Sequence, residues 1–460
     1  MTNPYAANVA VPKRFGVRSV RRVGGFARAL LLIAVIAFAI RVGYAWTRSD
    51  TQPVGDSLVF HEAANALADG EGFTKSVYIR DGGLVVDPAN PEPSANPPMG
   101  VVYYAAGSML GLRGFSQHMV WASLAGTATV ALVGLLGRRL VDAATGLVSA
   151  LMAALYPSLW SWDGFVTSET LAAMLAVAVV LASLRYGEAP SRLRAAIVGL
   201  LGGIALLTRS ELALYLPLLF VPLVIADRQR SWRARLATVG ATAAIALCVL
   251  TPWWIYNAGR FEHPVLLTTG FGQTLASANC DVAYQGEYIG YWSLGCNLDV
   301  AASEAMPSAP DQTEADRVYA SAATRYQGQH RTQLLTRVIP ARVGRVFYLF
   351  RPLQQLSLDR DIEGREPFVA ASAFWSYWAL VVLSGFGLRV LRRSGARLWP
   401  LIMPFVVVTA GVVMTFGNVR YRATAEPFLC VAAGIGLTAI ARRAVRTRLR
   451  LSDAGDSTNP

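Results

Sequence analysis

Long apolar runs recur along this chain, from FARALLLIAVIAFAI near the start to FLCVAAGIGLTAI near the end, and arginine-rich loops separate them. Runs of about 20 residues with almost no charge cross a bilayer as α-helices, because a helix satisfies its own backbone hydrogen bonds in hydrocarbon. Only 15% of the residues are charged and 54% are hydrophobic, whereas a soluble domain carries about a quarter charged residues. The pattern predicts an all-α polytopic membrane protein, and domain counting from length does not apply.

The formal net charge is +13, and nearly all of the base is arginine. Cytoplasmic loops retain Lys and Arg, so the excess reports topology. No basic stretch with interleaved aromatics accompanies it, which argues against a nucleic-acid partner. Lys13, Arg14, Arg18, Arg21, Arg22 and Arg28 put the N-terminus inside. The small-residue stretch AFA at 37–39 resembles a cleavage site, but apolar character resumes after Arg41 with VGYAW, so the first run reads as a retained span. Arg138 and Arg139 end the next full span, which leaves residues 48–115 outside. Within that loop, 97–112 is too short to cross alone and reads as a re-entrant or interfacial helix. Continued alternation predicts about ten spans with both termini cytoplasmic, those around 195–226 being short and tilted or sunk in protein. The organisation is then a basic tail over 1–24, a transmembrane module over 25–256, an extracytoplasmic segment over 257–368, C-terminal helices over 369–443 and a cytoplasmic tail over 444–460, whose end, LSDAGDSTNP, reads as disordered.

This topology gathers charge on the outer face. Asp56, His61 and Glu62 follow span one in PVGDSLVFHEAANALADGEGF; Asp163 and Glu169 lie in SWDGFVTSE, Arg209 and Glu211 in LTRSEL, and Arg420, Arg422 and Glu426 in GNVRYRATAEP. Each also has a structural reading. Asp56 fits the N-cap of an interfacial helix over 57–69, whose Phe60, Ala63, Ala64 and Leu67 would lie on the membrane. His61 and Glu62 suit a solvated face, Glu169 a first-turn acid, and Arg422 with Glu426 an intrahelical pair. Arg41 suits snorkelling to the outer interface, and Trp160 and Trp162 suit interfacial anchors. Their common side is what points to a site. Cys248 and Cys430 fall in apolar runs and read as small core residues. Cys280 and Cys296 share the external segment, where a disulfide is expected, with two free thiols as the alternative.

The ordered landmarks GDSLVFHEAANALADGEGF, NPPMGVVYYAAG, GLVSALMAALYPSLWSWDGFVTSETL, GLLGGIALLTRSEL, TPWWIYN and GNVRYRATAEPFL resemble the GT-C superfamily of membrane glycosyltransferases. The likeness is to the bacterial branch related to protein O-mannosyltransferases and the lipid A aminoarabinose transferase. It covers most of 25–260 and 410–435 and matches the external segment poorly. The resemblance implies a GT-C-type bundle with interfacial helices in the first external loop and a large extracytoplasmic loop. It implies a hexosyl- or pentosyltransferase in the plasma membrane, with an extracytoplasmic active site and a polyprenyl-phosphate-linked sugar donor. The acidic residue of the first external loop acts at the active site of that superfamily, and here that role falls on Asp56. Two departures stand out: Ser57 follows Asp56 where many relatives carry a second acid, and Tyr256-Asn257 follows the Pro-Trp pair where many read Arg-Asn. The first leaves a lone base or shifts part of its role to Glu62; the second leaves open which arginine meets the phosphate.

A phosphate leaving group needs little protonation, so one carboxylate suffices to deprotonate an attacking hydroxyl, and cations must hold the departing phosphate. Arg209, Arg420 and Arg422 are the candidate phosphate ligands, since the guanidinium fork matches phosphate oxygens; His61, Glu62 and Glu169 are candidate substrate contacts. No clustered ligand spacing indicates a metal, and no cofactor is expected, although a divalent ion serves some members of the superfamily. Three alternatives remain: a ligase using a diphosphate-linked glycan, a lipid or solute transporter, and a non-catalytic assembly or scaffold protein in which Asp56 is only a cap. A transporter needs polar residues near the bilayer midplane, and these spans are nearly free of them.

Overall fold

The computed structural model describes residues 21–80, 82–304 and 311–456. Lys13, Arg14 and Arg18 of the expected basic tail lie outside these, as do 457–460 at the far end. The chain is helical almost throughout. Helix α1 (Arg21–Thr47) leads into a loop holding α2 (Asp56–Ala68) and α3 (Pro98–Met109). Then come α4 (Phe115–Leu140), α5 (Ala143–Leu155), the short α6 (Pro157–Trp160), α7 (Glu169–Glu188), α8 (Arg192–Thr208), α9 (Val221–Ile225) and α10 (Trp232–Asn257). The segment after α10 carries α11 (Phe271–Ser277), α12 (Asp281–Tyr284), α13 (Leu294–Ser303), α14 (Gln312–Gln329), α15 (Arg331–Gln333), α16 (Ile339–Val346) and α17 (Pro352–Asp361). Helices α18 (Pro367–Arg393), α19 (Trp399–Met414) and α20 (Glu426–Asp456) close the chain. Helix α20 thus continues through 451–456, where the sequence reads as disordered.

Among the described residues six helices are long and apolar enough to cross a membrane: α1, α4, α7, α10, α18 and α20. A seventh span forms if α5 and the Pro157–Gly164 stretch, bent by 63° where Pro157 interrupts the ladder, count as one. The other three expected spans are shorter: α8 has 17 residues, α19 has 16, and Ser210–Ile225 is broken into 3-10, π and α turns. Length and composition therefore give six or seven of the ten expected crossings. The protein is multi-pass all the same.

Small residues let the helices approach closely, as lipid supplies no hydrophobic drive between them. A Cβ at Gly387 on α18 would run into the backbone of Ala432 on α20, and one at Gly436 into Leu383. The arginine-rich ends cluster at one end of the bundle: Arg139 pairs with Glu188 at 2.8 Å, Arg442 with Asp142 at 2.5 Å, and Arg230 donates to the Pro190 carbonyl at 3.0 Å. The four charged segments expected on the other face meet at the opposite end.

Two small antiparallel sheets interrupt the helices in the first loop, a feature the sequence reading lacks. Strand β1 (Thr74–Lys75) pairs with β4 (Glu92–Pro93), and β2 (Val77–Arg80) with β3 (Gly83–Val86). The apolar face of α2 does not lie on the membrane. Phe60, Ala63 and Ala64 are buried with Val101, Tyr104, Met119, Ala122 and Val166, so protein on α3, α4 and the approach to α7 covers them. Two further expectations fail through packing. Cys248 is exposed on α10 while Cys430 is buried, and Trp162 is buried by protein beneath the Arg365 guanidinium, 4.1 Å from its ring centre.

Candidate active site

Gly55, at φ 54°, turns the chain into α2 and stands as its N-cap, so Asp56 begins the helix and caps nothing. Its carboxylate is free to reach across the bundle end. Arg420, from the 3-10 turn Val419–Thr424, forms an ion pair with it, Nη1 lying 2.7 Å from Asp56 Oδ2. Asn418 sets that turn, its Oδ1 accepting the Arg420 backbone N–H at 2.9 Å while its Nδ2 donates to Glu363 at 2.6 Å. Arg420 Nε rests on Glu169 Oε1 at the first residue of α7. The same oxygen accepts from Arg209 Nη1 at 2.6 Å, and Arg209 Nε donates to Glu211 at 2.5 Å. Arg209 lies at the end of α8 with its guanidinium 5.5 Å from the Tyr421 ring centre.

The result is a continuous charged chain, Asp56–Arg420–Glu169–Arg209–Glu211, contributed by four distant segments. Burial alone would lower the pKa of Arg420, but the carboxylates of Glu169 and Asp56 outweigh it and hold the guanidinium charged. The cluster opens outward on one side: the Asp56 side chain is 59% exposed and that of Arg420 23%, against 1% for Glu169. Among the described residues the Nη2 atoms of Arg420 and Arg209 have no hydrogen-bond partner and are not sealed from solvent. Two free guanidinium donors beside an exposed carboxylate can hold an anion next to a base.

The remaining expected site residues go elsewhere. Arg420 and Arg422 point apart, as two positions in a helical turn must. Arg422 is buried, donating Nε to Glu426 at 2.8 Å and Nη1 to the Val346 carbonyl at 2.9 Å, with Tyr377 and Tyr348 ring centres 3.7 and 4.8 Å from its guanidinium. Tyr156 and Ser158 complete the Glu426 shell. Arg422 therefore holds the fold together and does not face the opening. His61 turns its Nδ1 to that of His118 at 3.1 Å, and Glu62 accepts from Ser76; neither joins the cluster. Burial lowers the His61 pKa and raises that of Glu62. Arg41 does not snorkel: it is fully buried and paired with Asp163 at 2.6 Å, and Thr170 holds the other Asp163 oxygen. Cys280 and Cys296 are bonded, with Cα atoms 5.9 Å apart.

Sequence reasoning missed the charges just before α18. Arg365 pairs with Asp359 in full burial, and Glu366 receives both Tyr44 from α1 and Arg48 just past its end. The dense run DRDIEGRE at 359–366, hard against an apolar span, is the signal that could have found them. No group of three or more His, Cys, Asp or Glu side chains among the described residues is arranged to hold a metal.

A dolichyl-phosphate-mannose-protein mannosyltransferase family model matches residues 95–256. Among solved structures, the Archaeoglobus fulgidus oligosaccharyltransferase in its apo form is similar at a TM-score of 0.54 and 14% identity, over 96% of this chain and 53% of that one. The oligosaccharyltransferase AglB from the same organism, in complex with an inhibitory peptide and a dolichol-phosphate, gives 0.53 and 14%, over 95% and 52%. ArnT from Cupriavidus metallidurans bound to undecaprenyl phosphate gives 0.41 and 14%, over 91% and 78%. A search among curated proteins finds no sequence match. This chain spans about half the length of the archaeal oligosaccharyltransferase. Over nearly its whole length, then, the chain has the GT-C-type fold of that archaeal oligosaccharyltransferase.

Proposed function

We propose that the protein is an inverting glycosyltransferase that moves a sugar from a polyprenyl-phosphate carrier to an acceptor hydroxyl at the extracytoplasmic face of the cytoplasmic membrane. The observation that carries this reading is the ion pair of Arg420 with Asp56, which sets a free guanidinium donor beside an exposed carboxylate at the bundle end opposite the arginine-rich loops. The dolichol-phosphate bound to a protein of the same fold supports a lipid phosphate as the ligand class.

The donor phosphate competes with Asp56 for Arg420 and also meets the free Nη2 of Arg209. Glu169 and Glu211 hold both guanidiniums in place while this exchange occurs. Asp56, released from its partner, accepts the proton of the acceptor hydroxyl as that oxygen attacks the anomeric carbon. The bond from the anomeric carbon to the phosphate oxygen breaks, the phosphate leaves with the electron pair, and the guanidiniums stabilise its charge. Attack opposite the leaving group inverts the centre. In this reading the cations are arginines, and no metal or other cofactor takes part.

The test is transfer from a labelled polyprenyl-monophosphate sugar by the full-length protein in liposomes, beside a diphosphate-linked glycan. Asp56→Asn should lower transfer by roughly 10²–10⁴ with the protein still folded. Use of the diphosphate-linked glycan alone would move the assignment to a ligase. Lipid movement across the bilayer without transfer would make it a transporter.

A further inference from the structure

Apart from the charged cluster, a cavity of about 140 Å³ lies between the small strands of the first loop and helices α11 and α14. That is several times the room a single water requires. Lys75, Tyr78, Arg80, Glu92, Gln273 and Asp316 supply its polar lining. The walls are fixed from both sides. Lys75 stands opposite Glu92 in the β1–β4 pairing, and Arg80 pairs with Glu92 while lying 4.8 Å from the Tyr78 ring centre. Across the cavity, Asp316 Oδ1 accepts the backbone N–H groups of Gly272 and Gln273 at 2.7 and 3.3 Å, anchoring the start of α11. Gln312 ties the two walls together, donating to the Pro93 carbonyl at 2.6 Å and accepting from Thr269 at 2.8 Å.

What the lining leaves unused defines the ligand. Two cations, Lys75 and Arg80, balance two anions, Glu92 and Asp316, so the cavity selects neither a phosphate nor a metal ion. Among the described residues the Lys75 ammonium, the Gln273 amide and Asp316 Oδ2 have no hydrogen-bond partner. Donors and acceptors side by side match hydroxyl groups, each of which donates once and accepts as well. A hydrophobic ligand would leave these groups unpaired at a cost. The cavity also adjoins the cluster: β1, which carries Lys75, packs on α2, the helix that begins at Asp56.

We propose that this cavity is the acceptor subsite and takes a single neutral, hydroxyl-rich sugar ring, presenting one of its hydroxyls toward Asp56. The assignment rests on the transfer reading above and names its acceptor class as a saccharide. The test is saturation-transfer NMR on the full-length protein in nanodiscs, with methyl α-hexopyranosides and methyl α-pentofuranosides as probes. Gln273→Ala and Lys75→Met are compared with wild type and with Asp56→Asn, and melting temperatures serve as the folding control. Saturable binding of at least one glycoside is expected. It should weaken about 3–10-fold in Gln273→Ala, the loss of one hydrogen bond, and persist in Asp56→Asn. No glycoside binding, binding unchanged in both cavity variants, or displacement of the probe only by a serine- and threonine-containing peptide would overturn the proposal. Binding of polyprenyl phosphate is measured in the same samples. Its absence counts against the transfer reading, and its presence without glycoside binding counts against the cavity alone.

Discussion

Arg420 forms an ion pair with Asp56 at 2.7 Å although the two residues come from opposite ends of the chain, and the same guanidinium rests on Glu169. This joins the first-loop helix, the start of α7 and the turn before α20 at a single cation. Asp56 has no capping duty, since Gly55 holds that position. Removing its charge should therefore leave α2 intact. Asp56→Asn is expected to melt within a degree or so of wild type while losing the transfer activity described above; a collapse in melting temperature would return Asp56 to a structural role.

Arg422 should behave in the opposite way from Arg420. Its pair with Glu426 is sealed, each side chain being 1% exposed. Truncating one member of a buried pair leaves the other charge stranded, at a cost of about 3–5 kcal/mol. Arg422→Ala should thus unfold at distinctly lower temperature in detergent, whereas Arg420→Ala, whose buried partner Glu169 keeps Arg209, should lose less stability and should lose donor binding. Wild-type melting of Arg422→Ala would contradict the buried-pair assignment.

The His61 imidazole gives a pH dependence whose sign follows from burial. Its folded pKa is lowered from the ordinary 6.5 by desolvation. The unfolded chain then binds the proton more readily, so stability is full above pH 6.5 and is lost as pH falls through and below that value. Thermal melts from pH 7.5 to 5 should show this loss in wild type and less of it in His61→Asn. Equal slopes in both proteins would place the titration elsewhere.

The bridge between Cys280 and Cys296 spans a sequence separation of 16 in the external segment. Closing a loop of that size stabilises by about 3 kcal/mol in the chain-entropy model. Unreduced peptides should be found linked by mass analysis, and reduction should lower the melting temperature. Two freely alkylated thiols in the native protein would refute the bridge.

The convergence of Asp56, Glu169, Arg209 and Arg420 was legible in the sequence because arginine-rich loops fix the topology, and the topology sends all four to one face. Which cation points where was not legible. That depends on the 3-10 turn at Val419–Thr424, which directs Arg420 outward and Arg422 inward, and Asn418 holds that turn through a contact with Glu363 far away in the chain. The buried pairs Arg41–Asp163 and Arg365–Asp359 escaped for a related reason. Charge placement marks a residue as near the interface, but only packing decides whether it faces water or a partner. Strands of two to four residues, such as β1 and β2, are too short to show a twofold period, so the cavity they line left no trace in the hydropathy pattern.

The decisive measurement is the position of a bound polyprenyl phosphate in a cryo-EM reconstruction of the purified full-length protein. The expected result is phosphate density within hydrogen-bond distance of Arg420, with Arg209 as a second contact and Arg422 still on Glu426. Phosphate bound instead at Arg41 or along Arg345–Arg351, with the Arg420–Asp56 pair undisturbed, would contradict a donor site at this cluster.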